Sequence, residues 1–393
     1  MSTPNFDIII VGAGISGLLL GSQLCQTHSL LIIEKEDTIP LNKYWLTNKK
    51  CSEANLELIK CVDTTYNFMD FHSYDGKSFR CSGEYLLWDT EKLTEKLERI
   101  ILSNSGVILK KHTFFAYQYS KDSIVISVND KKFSSRLLVD CMGYSSPIIY
   151  AKHLISIYGY YILNGSVVNL KKQIEPIGLS NILLSNRPKF LEVFPKSNNQ
   201  AYVVLIEPEK SIKRNSSLGE EIKFIIEKSE YSQYFEKPSS ENRYLYGLIP
   251  VGKLRTNALD RIFLFGEAGQ MNPAATATCL TQLFYSYKEI ASELLQRLET
   301  NQLSKEKLVI NTPYFTNGNK KFHLNLFRNI LNWTSDDFSK LIYQMNKMDH
   351  DLVNQVIFGE INFKSLLNSK NIKNLIANKN YFVLKPLLKS LLP

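Results

Sequence analysis

The amino-acid sequence of 393 residues predicts an α/β fold: a parallel-sheet domain, an inserted antiparallel β-sheet and a helical C-terminal region. Three observations support this prediction. A glycine-rich loop near the N-terminus separates an apolar strand-like run from a helix-like run. Two later apolar runs, within 136–143 and 261–269, also end in glycine-containing turns. Apolar runs of this kind are typical of parallel strands that are buried on both faces.

The first glycine-rich loop has the spacing of a dinucleotide-binding motif. The apolar run 7–11 leads into a G-x-G-x-x-G sequence, and a helix-like run and a second apolar run, 30–33, complete a β-α-β unit. The glycines allow a tight turn and a close backbone approach, and the helix N-terminus favours phosphate groups. Glu34 can accept hydrogen bonds from an adenosine ribose. The predicted cofactor contacts of this Rossmann-like unit are Gly12, Ala13, Gly14, Ile15, Ser16, Gly17, Glu34 and Lys35.

Two distant segments predict that the dinucleotide is FAD. The strand-like run 136–143 ends in glycine, which leaves room beside a cofactor. The run 262–265 precedes a turn whose Glu267 can bind polyol hydroxyls. Asn272 and Pro273 are expected to begin a long helix, whose N-terminus would stabilise negative charge on a reduced flavin. The predicted contacts here are Met142, Gly143, Gly266, Glu267, Ala268, Asn272, Pro273, Ala274 and Ala275.

The same patterns predict the domain organisation. The FAD-binding domain is expected to be discontinuous, over residues 1–70, 85–150 and 245–300. Short β-like runs separated by turn residues indicate a substrate domain, an antiparallel sheet over 71–84 and 151–244. Residues 301–393 are expected to form a mainly helical C-terminal region.

Positive charge is concentrated at the C-terminus. The chain has 47 Lys and Arg against 38 Asp and Glu, a net charge of +9, and six of its lysines follow Glu360 without any acidic residue. Lysines mixed with paired apolar residues predict an amphipathic segment that could contact an anionic membrane surface. The alternative is a terminal helix packed on the body of the protein. We expect no nucleic-acid partner, because the sequence has no recognisable nucleic-acid module.

The cysteines, the histidines and the N-terminus exclude other classes. Six scattered cysteines form no C-x-x-C motif, and the six histidines lack metal-ligand spacing, so we predict no metal site. The N-terminus does not resemble a signal peptide, and no apolar run is long enough to span a bilayer. The protein is therefore expected to be cytoplasmic, either free or peripheral on a membrane.

The chain resembles single-Rossmann FAD-dependent oxidoreductases, the group of aromatic hydroxylases, geranylgeranyl reductases and halogenases. Within this group it looks like a lycopene cyclase, since the runs 194–207 and 249–273 follow the patterns P-x-S-x-N … E-E and I-P-M-G … G-x-A-G-M-x-x-P. This resemblance implies FAD and a glutamate of the first run as an acid, for which Glu207 is the matching position. Glu207-Pro208-Glu209 replaces the paired glutamates of the family, and the W-x-W-x-I-P sequence of halogenases is absent.

Three functions are open at this point. The first is an FAD-dependent oxidoreductase, a monooxygenase or dehydrogenase that acts on an apolar or aromatic small molecule in a biosynthetic pathway. The second is a non-redox, lycopene-cyclase-like enzyme that uses reduced FAD, with Glu207 as general acid. The third is a flavoprotein that modifies or matures another polypeptide. The sequence has no second G-x-G-x-x-G, so an external reductant would have to dock transiently.

Overall fold

The structure is a computed structural model that describes residues 5–38, 43–182, 184, 187–212, 217–237, 244–311, 316–362 and 385. The lysine-rich tail predicted to contact a membrane lies outside the described residues, apart from 361, 362 and Lys385. Among the described helices, none has the length and hydropathy needed to cross a bilayer.

Strands and helices alternate in the N-terminal part of the chain, and helices dominate the C-terminal part. The strands are β1 (Asn5–Val11), β2 (Leu30–Ile33), β3 (Trp45–Asn48), β4 (Val62–His72), β5 (Ser78–Trp88), β6 (Gly106–Leu109), β7 (Phe114–Tyr119), β8 (Ile124–Val128), β9 (Lys131–Asp140), β10 (Ile155–Asn169), β11 (Ile177–Ile182), β12 (Lys189–Pro195), β13 (Gln200–Glu209), β14 (Tyr244–Leu254), β15 (Ala258–Leu259) and β16 (Ile262–Leu264). The helices are α1 (Ile15–Leu24), α2 (Lys50–Glu53), α3 (Thr90–Leu102), α4 (Pro147–Ala151), α5 (Leu218–Lys228), α6 (Cys279–Glu299), α7 (Lys305–Leu308), α8 (Asn317–Ile330), α9 (Ser335–Met345) and α10 (His350–Phe358).

The first sheet has the strand order β15-β16-β9-β1-β2-β6, and the β7–β8 hairpin joins it through β9. Strands β16, β9, β1, β2 and β6 are parallel, with Ile8 opposite Leu30 on one side and Leu137 on the other. The apolar residues of β1 and β2 are almost completely buried because helices cover one face and the β7–β8 hairpin and α4 cover the other. The predicted α/β class and buried parallel sheet are confirmed.

The second sheet has the order β14-β10-β13-β12-β11-β4-β5-β3 and is antiparallel except for the β4–β11 pair. One face, which we call the α5 face, packs on α5 through residues such as Leu205 and Ile222. The other, which we call the α8 face, is covered by α8, α9 and α10 and includes Tyr202 and Val204. Ala275, one of the predicted cofactor residues, packs in the same apolar cluster as the α8 face.

The second sheet contains strands that the predicted bounds assigned to the FAD-binding domain. Strand β3, most of β4, the end of β5 and nearly all of β14 pair within this sheet. The division of the chain into domains stays a prediction. The pairing shows that the chain passes between the two sheets several times.

Candidate cofactor and active site

The first glycine-rich loop is closed by contacts that only small residues permit. Gly12 has a positive φ of 102°, and a Cβ there would lie 2.6 Å from the backbone oxygen of Cys141. A Cβ on Gly17 would lie 2.0 Å from the oxygen of Gly12, so α1 packs directly against the loop. Gly14 precedes α1, and a Cβ there would meet no atom within 4 Å. The loop is therefore tight on its inner side and open in front of the N-terminus of α1.

Glu34 supports this loop from the end of β2. It is 6% exposed, and its carboxylate accepts hydrogen bonds from the backbone N–H of Ala13 at 2.8 Å and of Glu36 at 3.1 Å. Each carboxylate oxygen retains a second lone pair, so the group can still accept a hydrogen bond from a ribose hydroxyl. Lys35 is exposed and forms an ion pair with Glu36 at 3.5 Å, so its predicted contact has less structural support than that of Glu34.

The three predicted cofactor segments meet at close approaches to their glycines. Gly12 lies against Cys141, as described above. A Cβ on Gly143 would lie 2.9 Å from Oε2 of Glu267, and one on Gly266 would lie 2.2 Å from Oγ of Ser16. Both glycines have a positive φ, 62° and 70°. The structure thus brings the loop 12–17, the turn 142–143 and the turn 266–268 close together.

The turn at Met142 depends on a buried carboxyl group. Asp140, which is 0% exposed, accepts a hydrogen bond from the Met142 N–H at 3.0 Å and another from the Ser146 hydroxyl. Ser146 in turn accepts a hydrogen bond from the N–H of Ile149 and caps α4. Sequence analysis did not single out Asp140 as a supporting residue. Its position at the end of a parallel strand, directly before the turn, was the available signal.

We predict that Asp140 makes stability depend on pH. Burial raises the pKa of Asp140 to about 6, although hydrogen bonds from Ser146 and Met142 lower it in part. Because the pKa is higher in the folded state, the associated stability is complete below the unfolded value and is lost as the pH rises through about 6. Asp140→Asn keeps an acceptor for the Met142 N–H and removes the titration. Between pH 4 and 8, the free energy of unfolding of Asp140→Asn should therefore rise by roughly 3 kcal/mol relative to that of the wild type.

Urea unfolding of both proteins across this pH range measures the difference. If the free energies of unfolding of the wild type and of Asp140→Asn changed equally with pH, that result would contradict the assignment of the titration to Asp140.

The second turn carries a carboxylate that pairs with a lysine. Oε1 of Glu267 lies 3.3 Å from Nζ of Lys43, which is half-exposed. The pKa of Lys43 is raised, mainly by the charge of Glu267. No local sequence pattern pointed to Lys43, because 224 positions separate it from Glu267. A polyol hydroxyl could share Glu267 with Lys43, since a carboxylate offers several acceptor sites.

Gln270 ties this turn to the second sheet. Its amide oxygen accepts a hydrogen bond from the Gly252 N–H at 3.1 Å, and its Nε2 donates to the oxygens of Pro250 and Glu267, each at 3.2 Å. Gln270 has a positive φ of 49°. One amide side chain therefore joins the backbone of the segment 249–252 in β14 to the turn 266–269.

The long helix begins later than predicted. Asn272 and Pro273 were expected to start it, but α6 begins at Cys279, and 270–278 form turns. Ala277 has a positive φ of 56°, which a right-handed helix does not allow. The hydroxyls of Thr276 and Thr278 each donate to the oxygen of Ile357 at 2.7 Å, so contacts with the end of α10 hold this segment outside a helix. The predicted alignment of a helix N-terminus with Asn272 is wrong.

Asn272 nevertheless has the properties of a ligand-binding residue. It is 4% exposed, and neither its amide oxygen nor its amide nitrogen has a hydrogen-bond partner among the described residues. An unpaired buried amide costs free energy, so such a group indicates a missing partner. Nearby, Ala274 and Ala275 are buried, and the oxygen of Ala275 accepts a hydrogen bond from the Tyr161 hydroxyl at 2.7 Å.

The residues of this site fit a flavin dinucleotide. The open N-terminus of α1 at Gly14 suits a diphosphate, and Glu34 and Glu267 provide acceptors for sugar and polyol hydroxyls. Asn272 provides an unpaired donor and acceptor next to small, buried alanines. No group of three or more potential metal ligands occurs among the residues that the structure describes.

Glu207 lies away from this site. Along β13 the odd-numbered residues 201, 203 and 205 pack in the α5 face, and even-numbered Tyr202 and Val204 in the α8 face. Alternation therefore places Glu207 on the α5 side. Its Oε1 lies 3.7 Å from Nζ of Lys189, which also binds Glu221 of α5 at 2.6 Å. The structure does not bring Glu207 together with the cofactor segments, so its predicted catalytic role gains no support.

The comparison with protein families now has a structural context. The family described as lycopene cyclase protein matches residues 7–214, which is more than half of the chain. This chain belongs to the lycopene cyclase family. A chloroplastic neoxanthin synthase of Solanum lycopersicum is 25% identical over 184 residues, which cover 46% of this chain and 36% of that protein. The match thus spans little more than a third of that relative.

Solved structures share the fold along almost the whole chain. A geranylgeranyl bacteriochlorophyll reductase-like protein of Thermoplasma acidophilum has a TM-score of 0.75 at 14% identity, covering 96% of this chain and 100% of that one. The halogenase PltM in complex with phloroglucinol and FAD has a TM-score of 0.65 at 12% identity, covering 99% and 97%. Both comparisons establish the fold. Together with membership of the lycopene cyclase family, they identify FAD as the cofactor that the site fits, as the sequence predicted.

Proposed function

We propose that this lycopene cyclase family member is an FAD-dependent enzyme that acts on a large apolar small molecule, with a polyene as the first candidate. One observation carries the proposal: the segment 271–275 packs against the apolar, aromatic α8 face through its alanines. Ala275 packs in the same cluster as Phe194 and Tyr202 of the α8 face. Ala274 packs in the adjoining cluster with Tyr161 and Phe327.

The aromatic side chains of this face suit the binding of an extended apolar molecule. Tyr44 lies between Phe194 and Tyr202, with ring centroids 5.5 and 5.6 Å apart, and Tyr66 stacks on Phe194 at 6.3 Å. Aromatic and apolar side chains predominate in the lining of small-molecule sites. The named relative, a neoxanthin synthase, supports a substrate of the carotenoid type.

Each part of the site would have a separate role. Gly12, Gly14, Gly17 and Glu34 would bind the diphosphate and adenosine side of FAD, while the turn at Glu267 and the segment from Asn272 would bind the flavin side. Bound FAD supplies redox chemistry or, when reduced, negative charge next to the substrate. The chain itself orients the substrate and excludes water through the α8 face and helices α8 to α10.

Two reaction types are candidates. A non-redox isomerisation or cyclisation is favoured by the family match over residues 7–214 and by a partly buried carboxyl group in strand β12, Glu192. An oxidoreductase reaction, either monooxygenation or dehydrogenation, is supported by the likeness in fold to a reductase-like protein. Fold alone does not choose between them.

The mass of the product separates these reactions. FAD-loaded protein would be incubated with lycopene in micelles, with and without NADPH and oxygen, and the products analysed by mass spectrometry. An isomer of unchanged mass indicates the non-redox reaction, whereas added oxygen or a changed hydrogen count indicates an oxidoreductase. Conversion by the purified protein alone would contradict a role in maturing another polypeptide. Absence of lycopene binding would contradict the proposed substrate class.

A further inference from the structure

A single carboxyl group lies among the aromatic residues of the α8 face of strand β12. Within β12, Phe190 and Phe194 belong to this face, whereas Leu191 and Val193 belong to the α5 face. Glu192 alternates with the latter two and therefore shares the α8 face. It is paired with Val204 of β13, which also belongs to this face. Glu192 is partly buried, so a ligand on this face could reach it.

Tyr44 holds this carboxyl group and connects it with the cofactor site. The Tyr44 hydroxyl donates a hydrogen bond to Oε2 of Glu192, and its ring packs between Phe194 and Tyr202. The preceding residue, Lys43, forms the ion pair with Glu267 in the turn that fits FAD. Two consecutive residues therefore link the cofactor turn to the carboxyl group of Glu192.

The surroundings of Glu192 raise the pH at which its carboxyl group loses its proton. Burial raises its pKa to about 7, although the hydrogen bond from Tyr44 lowers it in part. Burial also raises the pKa of Tyr44 and of Tyr66, so both hydroxyls keep their protons. A group that titrates near the working pH can both donate and accept a proton.

Charged and titratable groups on the neighbouring elements lie around this face. Nζ of Lys196 lies 5.3 Å from the ring centroid of Tyr202. In α8, burial lowers the pKa of His323 to about 3 and also lowers the pKa of Lys320. In α9 and α10, Asp336 and Asp351 are exposed. His323 is neutral over the range in which Glu192 titrates, so the two transitions are separable.

We propose that Glu192 exchanges a proton with the bound substrate and that Tyr44 positions its carboxyl group. This inference rests on the proposed function, the binding of an apolar molecule on the α8 face. It assigns the acid to a residue that sequence analysis did not select, in place of Glu207 on the opposite face of the sheet.

The proton transfer balances without an oxidant or reductant. The Glu192 carboxyl donates its proton to a carbon–carbon double bond, whose π electrons form the new C–H bond and leave a neighbouring carbon positive. A second double bond of the same molecule attacks that carbon, and the cation so formed loses a proton from a neighbouring C–H bond; alternatively, a C–H bond next to the first cation loses its proton directly. In both cases the released proton returns to the Glu192 carboxylate. The product is an isomer of the substrate, and the enzyme regains its initial protonation state.

The test uses FAD-loaded full-length protein and lycopene in micelles as the probe. Infrared spectra over pH 5–9 follow the carbonyl band of a protonated carboxyl group, with and without lycopene. The variants are Glu192→Gln, which keeps an acceptor for Tyr44, Tyr44→Phe, and Glu207→Gln as a matched control on the α5 face. We expect a band that titrates near pH 7, shifts when lycopene binds, and is absent in Glu192→Gln. In Tyr44→Phe its midpoint moves to higher pH, and in Glu207→Gln it is unchanged.

Turnover gives the second measurement. Glu192→Gln should lower kcat by about 100-fold or more with little change in KM, because general acid catalysis contributes on this scale. Glu207→Gln should retain kcat within about threefold, far short of that loss. A band that titrates but does not respond to bound lycopene, or an unchanged kcat in Glu192→Gln, would overturn the role of Glu192. Failure of lycopene to bind the wild type would instead overturn the proposed function and, with it, this inference.

Discussion

Gly17→Ala should destabilise the protein and abolish FAD binding together. A Cβ at this position would lie 2.0 Å from the backbone oxygen of Gly12 and 3.3 Å from Cγ2 of Ile10, so α1 would have to move away from the loop and from β1. Overpacking of this kind costs about 1–3 kcal/mol, and here the obstructing atom belongs to the backbone, which yields less than a side chain. Urea unfolding of the apoprotein measures the loss of stability, and titration with FAD measures the loss of binding.

Gly21→Ala is the matched control in the same helix. A Cβ there would meet Cδ1 of Ile32 at 2.9 Å, which is the end of a flexible side chain. Alanine also favours a helix over glycine by about 1 kcal/mol, which offsets the contact. This variant should therefore remain within about 1 kcal/mol of the wild type and bind FAD normally. Equal stability of Gly17→Ala and Gly21→Ala would show that the close approach of α1 to the loop is not required.

The sequence could predict those parts of the site whose determinants are adjacent in the chain. Strand β1, the loop 12–17, α1 and β2 follow one another, and their apolar periods and glycine spacing are local patterns. The same holds for the strand ends before Gly143 and Gly266. Because the carboxyl ends of parallel strands share one edge of a sheet, predicting the strands was enough to predict that these loops meet.

The remaining features depend on partners that are distant in the chain. Gln270 acts through backbone groups of β14, and Thr276 and Thr278 through Ile357, so neither the Gln270 contacts nor the late start of α6 has a local pattern. The ion pair of Lys43 with Glu267 likewise joins two residues that are far apart in the chain. Local helix propensity favoured Asn272 and Pro273 as a helix start, and tertiary hydrogen bonds overrode it.

The sequence alone also could not show which of Glu192 and Glu207 lies on the α8 face. Strand β13 is buried on both faces over residues 201–205, so its apolar run shows no alternation that would reveal which face a given residue occupies. A shift of one residue exchanges the two faces of a strand. Only the packing of alternate residues against α5 or α8 decides the question, and it places the two glutamates on opposite sides.

Gly14→Val should remove FAD binding while it leaves the apoprotein folded. Gly14 has φ −65° and ψ 176°, which valine adopts without strain, and a Cβ there would meet no atom within 4 Å. Glycine is a better helix N-cap than valine, so the free energy of unfolding should fall by no more than about 1 kcal/mol. The added side chain would occupy the space in front of α1 that suits a diphosphate, and FAD should bind at least tenfold more weakly, about 1.4 kcal/mol.

Gly219→Val provides the control, since Gly219 lies in the exposed first turn of α5, where a Cβ would meet only Nδ2 of Asn164, at 3.7 Å. Unchanged FAD affinity in this control and lost affinity in Gly14→Val, measured by quenching of flavin fluorescence, would place the diphosphate at the N-terminus of α1. The pair also complements Gly17→Ala, which should lose stability and binding together. Normal FAD binding by Gly14→Val would mean that the cofactor approaches the loop elsewhere, and the assignment of the open side of the loop would have to be abandoned.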